Sequence, residues 1–400
     1  MSLLLPSMRD LEMDGRAVLM RLDLNVPLQD GVISSDARIR AVLPTISLAL
    51  ERGARLAVAA HLGRPKGERR PELSLEPVAV HLSHALGKDV ILADDCIGDG
   101  VRAVLQQLRS GQVMLLQNLR YHGGETANDP GFSRALAAPF QVYVNDAFGA
   151  SHRAHASIVG VAQHLPLRAA GLLFAKEVAA LSKVAHAPEQ PCVAVVGGAK
   201  VADKLGILQA LLDRCQAICI GGAMAYTFLD AQGVAVGASP VQEEKRRAAA
   251  ALIKGAQARG VALLLPQDHV VAETFAATAP PRHASGPAIE AGFFGLDIGE
   301  KTRAAFAERV RAAKTVFWNG PMGVFEWEAF AAGTHAVAQA VAASPAYTVV
   351  GGGDSVAAIE AAGVSGRVDH ISTGGGSSLA FIEKGTLVGI EALAGRFAGS

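Results

Sequence analysis

Pro191–Met224 reads PCVAVVGGAKVADKLGILQALLDRCQAICIGGAM. The apolar run Cys192–Val196 ends in two glycines, the amphipathic stretch Val201–Arg214 follows, and a second apolar run, Gln216–Gly221, ends in glycine again. Apolar runs without alternation are covered on both faces, as parallel strands are. Two of them joined by a helix-length segment make a βαβ unit. Working outward, the same alternation fills the chain. Strand candidates on the N-terminal side are Ala17–Asp23, Arg55–His61, Lys88–Ala93, Val113–Gln117 and Gln141–Asn145. On the C-terminal side they are Val261–Leu265, Thr315–Trp318, Tyr347–Gly351 and Asp369–Thr373, besides the two already quoted. Helix candidates between them include Ala37–Arg52, Leu75–Leu86, Lys245–Arg259 and Thr334–Ala343. Eleven strands are many for one open sheet. The reading therefore expects an α/β protein with two doubly wound, Rossmann-like parallel-sheet domains.

The break is placed near Gly171. Residues 171–185 (GLLFAKEVAALSKVA) read as one hinge helix, and a proline-bounded loop, residues 186–191, follows it. The expected division is 1–170 and 171–388, with a tail of about 389–400. Fourteen glycines lie in residues 1–170 and 29 in residues 171–400, whereas seven of the 12 histidines lie in the first 170 residues. That asymmetry implies different ligands for the two halves. In the 400 residues, 37 Lys and Arg balance 37 Asp and Glu, which argues against a general nucleic-acid or acidic-membrane binder. No apolar run approaches the ~18 residues of a spanning helix. The opening MSLLLPSMRD has no signal-peptide pattern. Four cysteines without CxxC or zinc spacing suit a reduced, cytoplasmic protein.

Ligands of open parallel sheets bind beyond the carboxyl ends of the strands. In the first half those ends carry Asp23, Asn25, His61, Arg64, Asn118, Arg120, Asp146, His152, Arg153 and His155, with Arg38 on the helix after Asp23. One such arginine reads as a surface charge. Several at neighbouring strand ends fit a small polyanion, because the guanidinium fork matches phosphate and carboxylate. In the second half the ends read VVGGAK, IGGAM, WNGPMG, VGGGDS and STGGGSS. Glycines let backbone N–H groups approach phosphate, and a following helix N-terminus adds its dipole. Five such turns point to a nucleotide or phosphate site. Lys200 and Lys204, one turn apart at the expected helix start, could face phosphate or form an exposed pair. Asp354 reads as a metal-supporting carboxylate or as a helix N-cap. Gly98–Ala103 matches G-x-G-x-x-A, but no ribose-binding acid follows ~20 residues on, so it reads as a loop entering a helix. G-x-x-x-x-G-K-[ST], H-E-x-x-H and G-x-S-x-G are absent. His81, His84, Trp318, Phe325 and Trp327 read as structural.

Taken together, the motifs resemble the phosphoglycerate kinase family along almost the whole chain. The resembling segments are RLDLNVP (Arg21–Pro27), HLGRPKG (His61–Gly67), LQNLRYHGGE (Leu116–Glu125) and VNDAFGASHRAHAS (Val144–Ser157). They continue with VGGAKVADK (Val196–Lys204), GGAMAYTFL (Gly221–Leu229), FWNGPMGVFE (Phe317–Glu326), GGGDSVAA (Gly351–Ala358) and STGGGSSL (Ser372–Leu379). Two departures are slight: Ser355 stands where threonine is common, and Phe174–Ala175 where methionine and a charged residue are usual. The resemblance implies reversible phosphoryl transfer between 1,3-bisphosphoglycerate and ADP, giving 3-phosphoglycerate and ATP, with Mg2+ on the nucleotide. It implies phosphoglycerate binding by Asp23, Leu24, Asn25, Arg38, His61, Leu62, Gly63, Arg64, Arg120 and Arg153. Nucleotide binding falls by the same resemblance to Gly197, Gly198, Ala199, Lys200, Lys204, Gly221, Gly295, Asn319, Glu326, Gly352, Gly353, Asp354 and Ser355. Asp354 stands as the metal contact and Glu326 as the ribose-binding carboxylate. The tail after about Gly389 would return to the first domain.

The residues read by themselves give the same outline. An anion in a basic crevice and a nucleotide in a glycine-rich one require chemistry between the domains, by direct in-line transfer. Arg38, Lys200 and the helix N-terminus at Gly374, Gly375 and Gly376 are the candidates for holding the transferring phosphoryl group. A monomer is expected, with no nucleic-acid or membrane partner. A periplasmic anion binder would carry a signal peptide and would not need Lys200, Lys204 and Asp354. A nicotinamide dehydrogenase would show a complete dinucleotide fingerprint.

Overall fold

In the structure, a computed structural model that describes residues 5–397, the Pro191–Met224 stretch is strand, loop, helix and strand. The strands in chain order are β1 (Ala17–Arg21), β2 (Leu28–Gln29), β3 (Val32–Ile33), β4 (Arg55–Ala59), β5 (Val90–Leu92), β6 (Val113–Leu115), β7 (Val142–Asn145) and β8 (Leu167–Ala170). Then come β9 (Cys192–Val196), β10 (Ala217–Ile220), β11 (Ala262–Leu264), β12 (His269–Ala272), β13 (Arg282–Ala284), β14 (Phe294–Ile298), β15 (Thr315–Asn319), β16 (Tyr347–Val350) and β17 (His370–Ile371). Two six-stranded sheets, β5-β6-β4-β1-β7-β8 and β11-β10-β9-β15-β16-β17, are parallel at every pairing. β1, β7, β9 and β15 are buried at every position, as their unbroken apolar runs demand.

The chain divides into two compact units, Met1–Ala179 with Thr386–Ser400, and Ala180–Gly385. The expected boundary at 170/171 is thus displaced by nine residues, into the helix Leu172–Ala185 itself. Residues from Thr386 onward group with the first unit, where Gly389 N–H donates to the Ser151 carbonyl at 3.0 Å and Arg168 Nε to the Leu393 carbonyl at 3.2 Å. The first four and last three residues, and the parts of the opening and tail readings that fall on them, lie outside the described residues.

Six strands escaped the sequence reading. β8 closes one edge of the first sheet, β2 and β3 form a two-residue hairpin, and β12–β14 make a separate antiparallel sheet. All are short or carry charges: β13 is RHA, and Asp297 interrupts the apolar run of β14. The helix expected over Val201–Arg214 spans only Leu205–Leu212, so Lys200 and Lys204 are not one helical turn apart. Lys200 lies in an irregular loop, and Lys204 is the residue capping the helix. Asp99–Gln107 is helical behind the Gly98 turn. Among the described residues no helix is long and apolar enough to cross a membrane.

In both sheets the chain crosses from one side of its first central strand to the other, at β1/β7 in the first and at β9/β15 in the second; in the first, β6 also inserts between β5 and β4. A crevice outside the carboxyl ends forms at such a point. The backbones converge closely at the second one. Gly197 N–H donates to the Asn319 carbonyl at 2.9 Å, and a Cβ on Gly320 would sit 2.2 Å from the Gly197 carbonyl oxygen.

Candidate active site: a basic crevice and a glycine-walled pocket

In the first unit, the carboxyl ends of β1, β4, β6 and β7 carry a braced basic cluster. Arg21, the last residue of β1, is fully buried. Its Nε donates to Ser157 Oγ at 2.8 Å and its Nη2 to His61 Nδ1 at 3.0 Å, and its Nη1 reaches the Leu22 carbonyl. Burial and the charges of Arg21 and Arg120 hold the His61 pKa well below its ordinary value. His61 is therefore neutral near pH 7, with Nδ1 accepting and the proton on Nε2. Glu125 is the buried counter-charge: it accepts from Ser157 N–H at 2.9 Å and Ser157 Oγ at 2.7 Å, and lies 3.6 Å from His155 Nδ1. Burial alone would raise its pKa; His155, Arg21 and Ser157 outweigh that and lower it.

Next to this cluster a cavity of about 580 Å³ is lined by Arg64, Lys66, Gly67, Arg120, Gly123, Thr126, Arg153 and His155. Arg120 is 7% exposed; its Nη1 donates to the Gly63 carbonyl at 2.8 Å, while its buried Nε has no hydrogen-bond partner among the described residues. Burial and the neighbouring Arg21 and Arg153 push its pKa down to about 10. A buried, unpartnered donor among other cations is stabilised by an anion.

Of the residues expected to bind phosphoglycerate, Arg64, Arg120 and Arg153 line this cavity; Asp23, Asn25, Arg38, His61 and Gly63 do not. Those five lie at the strand ends and the helix start beside it. Asp23 Oδ1 accepts from Arg38 Nη1 at 2.9 Å, and Asn25 Oδ1 from Gly63 N–H at 2.8 Å. Leu24 and Leu62 have core side chains, so only their backbone could meet a ligand, and the Leu62 backbone is bonded to Asn118. Sequence reasoning missed Arg21, Lys66, Gly67, Gly123, Glu125 and Thr126. All but Thr126 stood inside quoted motifs, and the left-handed φ of 59° at Lys66 marks a turn that carries it to the rim.

In the second unit a cavity of about 300 Å³ has Gly198, Ala199, Gly222, Gly295, Pro321, Met322 and Gly323 in its wall, with Tyr226, Phe275 and Phe294. Glu326 and Asp354 are its acidic members. The glycines are obligatory for different reasons. Gly222 has φ +68° and a Cβ there would meet Gly198 N at 2.5 Å; a Cβ on Gly295 would meet the Tyr226 hydroxyl at 2.1 Å. Largely apolar walls with two carboxylates suit a flat heterocycle with polar groups at one end.

Of the expected nucleotide residues, Gly198, Ala199, Gly295, Glu326 and Asp354 line this cavity. Asn319 and Ser355 are braces instead. Asn319 Oδ1 accepts from Lys204 Nζ and its Nδ2 donates to the Gly351 carbonyl at 2.5 Å, while Ser355 Oγ accepts from Gly320 N–H at 2.6 Å. Gly197, Gly221, Gly352 and Gly353 belong to the loops that hold these groups. Lys204 is half-buried; burial lowers its pKa, and the charges of Asp354 and Asp203 oppose that. Asp354 is exposed in the first turn of the helix Gly353–Ala361, with Gly352 at the cap position. Arg38, Lys200, Gly374, Gly375 and Gly376 line neither cavity. Gly375 has φ +54° and Gly376 opens the helix Gly376–Lys384.

Among the described residues one group of three, Asp95, Cys96 and His122, has metal-ligand atoms close together. Its donors already serve one another: Asp95 Oδ1 lies 2.6 Å from His122 Nε2 and accepts from Cys96 N–H at 2.6 Å. Burial and Asp95 push the Cys96 thiol up, which keeps it protonated. The arrangement is that of a loop brace.

The family model for phosphoglycerate kinase matches residues 8–385. A phosphoglycerate kinase of Anaeromyxobacter sp. strain Fw109-5 is 54% identical over 388 residues, covering 96% of this chain and 98% of its own. One from Moorella thermoacetica is 52% identical over 387 residues, covering 97% and 98%. Among solved structures, the phosphoglycerate kinase of Coxiella burnetii is 39% identical with a TM-score of 0.89, covering 98% of this chain and 99% of that one. That of Pyrococcus horikoshii OT3 is 33% identical with a TM-score of 0.83, covering 97% and 98%. Agreement of this extent, over nearly the whole of both chains, decides the matter: the chain belongs to the phosphoglycerate kinase family.

Proposed function

We propose a division of labour between the two cavities for the family's reaction. That reaction is glycolytic phosphoryl transfer between 1,3-bisphosphoglycerate and ADP, giving 3-phosphoglycerate and ATP, with a carboxyl group as acceptor in the reverse direction. The arginine-lined cavity takes the phosphoglycerate. The observation that carries this is Arg120, whose buried Nε has no partner among the described residues while Arg64, Lys66 and Arg153 share its cavity. Bidentate guanidinium contacts suit the phosphate, and the neutral His61, donating through Nε2, suits the carboxylate end.

The glycine-walled cavity takes ADP or ATP. Its apolar walls and the rings of Phe275 and Phe294 suit the base, and Glu326 at the rim suits the ribose hydroxyls. Lys204 and the N-terminus of the Gly353–Ala361 helix suit the phosphates. A single exposed carboxylate, Asp354, fits Mg2+, which takes its remaining ligands from phosphates and water. When bound, Mg2+ neutralises charge on the phosphates. Arg38, Lys200 and the Gly374–Gly376 turn hold the transferring group, so that catalysis comes from positioning and charge rather than from a covalent intermediate. Every residue assigned to the two cavities comes from one chain, in keeping with a monomer. Four free thiols suit a reducing compartment such as the cytoplasm.

The test is turnover with ATP and 3-phosphoglycerate, the acyl phosphate being consumed by an added dehydrogenase and NADH. NADH loss that depends on both substrates is the expected result, and none at saturating substrates refutes the reading. Omitting Mg2+ should abolish the signal.

A further inference from the structure

Two of the four cysteines stand in contact in the second unit, away from the nucleotide cavity. Cys192 opens β9 and Cys215 lies just before β10. Their sulfurs are 2.9 Å apart, about 1 Å beyond the roughly 2.05 Å of a disulfide. The backbone on either side is tied: Gln216 N–H donates to the Cys192 carbonyl at 3.0 Å, and Cys192 N–H to Gln216 Oε1 at 2.7 Å. Joining the sulfurs therefore needs little movement of the strands.

We propose that Cys192 and Cys215 form an oxidative modification site, converted to an intramolecular disulfide by hydrogen peroxide. One thiolate attacks the peroxide, the O–O bond breaks, and a sulfenic acid and water form. The second thiol attacks that sulfur, the S–S bond forms, and a second water leaves. Two thiols are oxidised by two electrons, and one peroxide is reduced to two waters.

The cover over the pair is thin. Both sulfur-bearing residues are buried, yet Pro191, Asp213 and Gln216, their near neighbours in the chain, are exposed. An exposed glutamine bridges the two ends, with Gln190 Nε2 donating to the Arg214 carbonyl at 3.1 Å and Gln190 Oε1 accepting from Cys192 N–H at 3.0 Å. While closed, the Cys215 thiol is pushed up by its bond to Cys192 and by burial, so reaction proceeds through opening of this glutamine clasp. The Arg214 guanidinium is placed to favour the thiolate once opened. Cys96 belongs to the other unit, and Cys219 is buried within β10. Because the bond joins the amino end of β9 to the start of β10, while the cavity lies at the carboxyl ends, turnover should persist.

The test uses the full reduced chain, desalted and exposed to hydrogen peroxide, then alkylated in denaturant and digested without reductant. The expected outcome is one cross-linked peptide pair joining Cys192 and Cys215, with Cys96 and Cys219 alkylated. Alkylatable thiols fall from four to two, dithiothreitol restores them, and unreduced electrophoresis shows a band of single-chain size. Cys215→Ser should abolish the pair and Cys219→Ser should leave it intact. Four alkylatable thiols after an exposure that oxidises free glutathione would overturn the proposal. So would a different pairing, or sulfinic acid at Cys192 without a cross-link.

Discussion

Arg38 owes its direction to Asp23, whose carboxylate receives its Nη1 at 2.9 Å, and its side chain is still 37% exposed. A residue so placed contributes little packing, so its removal should be felt in rate rather than in folding. Arg38→Ala is expected to lower kcat by about 10²–10³ and to leave the urea midpoint close to that of the parent. Turnover near normal would remove it from the machinery. Asp354→Asn keeps the size and deletes the charge. Calorimetric titration should show weaker Mg-nucleotide binding and unchanged 3-phosphoglycerate binding, whereas equal loss for both would make Asp354 structural. Strand-end position in the sequence exposed Arg64, Arg120, Arg153 and Asp354. It could not separate cavity residues from their braces. Asn319 and Ser355 sit in the same motifs as Gly198 and Asp354, yet their polar atoms are committed to Lys204, Gly351 and Gly320. Arg21 was invisible as a site residue because an arginine ending an apolar strand gives no sign of its partners, Ser157 and His61.

The glycine turns carry a graded constraint. Gly222 and Gly260 both have left-handed φ, near +68° and +69°. A Cβ on Gly222 would meet backbone at 2.5 Å, whereas one on Gly260 would stand in open space. Gly260→Ala should therefore register the φ strain alone, about 1–2 kcal/mol. Gly222→Ala should lower the urea midpoint further, and equal shifts would show that the Gly198–Gly222 approach is unimportant. A second element-level effect is pH-dependent. Asp146 Oδ1 accepts from Phe174 N–H at 2.8 Å in the first turn of the Leu172–Ala185 helix. Burial nonetheless raises its pKa from 3.8 to about 6, against the pull of that backbone bond. Between those values the native state keeps a proton that the unfolded chain has released, so this group makes stability fall as pH rises through the window. The loss totals about 3 kcal/mol at ~1.36 kcal/mol per unit. Asp146→Asn does not titrate, so its urea midpoint should gain on the parent between about pH 4 and pH 7; parallel curves would sink the argument.

At the scale of the whole molecule, the direct transfer proposed above requires reacting atoms at about 3–3.5 Å, although the two ligands are proposed for separate units. Small-angle scattering is expected to give the lowest radius of gyration with both ligands bound and a smaller change with either alone. An unchanged radius with both at saturation would refute closure about the Leu172–Ala185 helix. The sequence by itself determined that there are two parallel sheets and pointed to their carboxyl ends, where the two cavities lie. Unbroken apolar runs and glycine turns are local signals, complete within a few residues, and a strand buried on both faces cannot be written otherwise. Only the tertiary structure decided the rest. It placed the unit boundary inside a helix that reads as continuous, and assembled β12–β14 from segments too short and too charged to stand out. It separated the arginines that line a cavity from those that brace it, and set Cys192 against Cys215 across 23 residues. Such pairings arise from strand order and register, which join residues distant in the chain, and no local pattern carries that information.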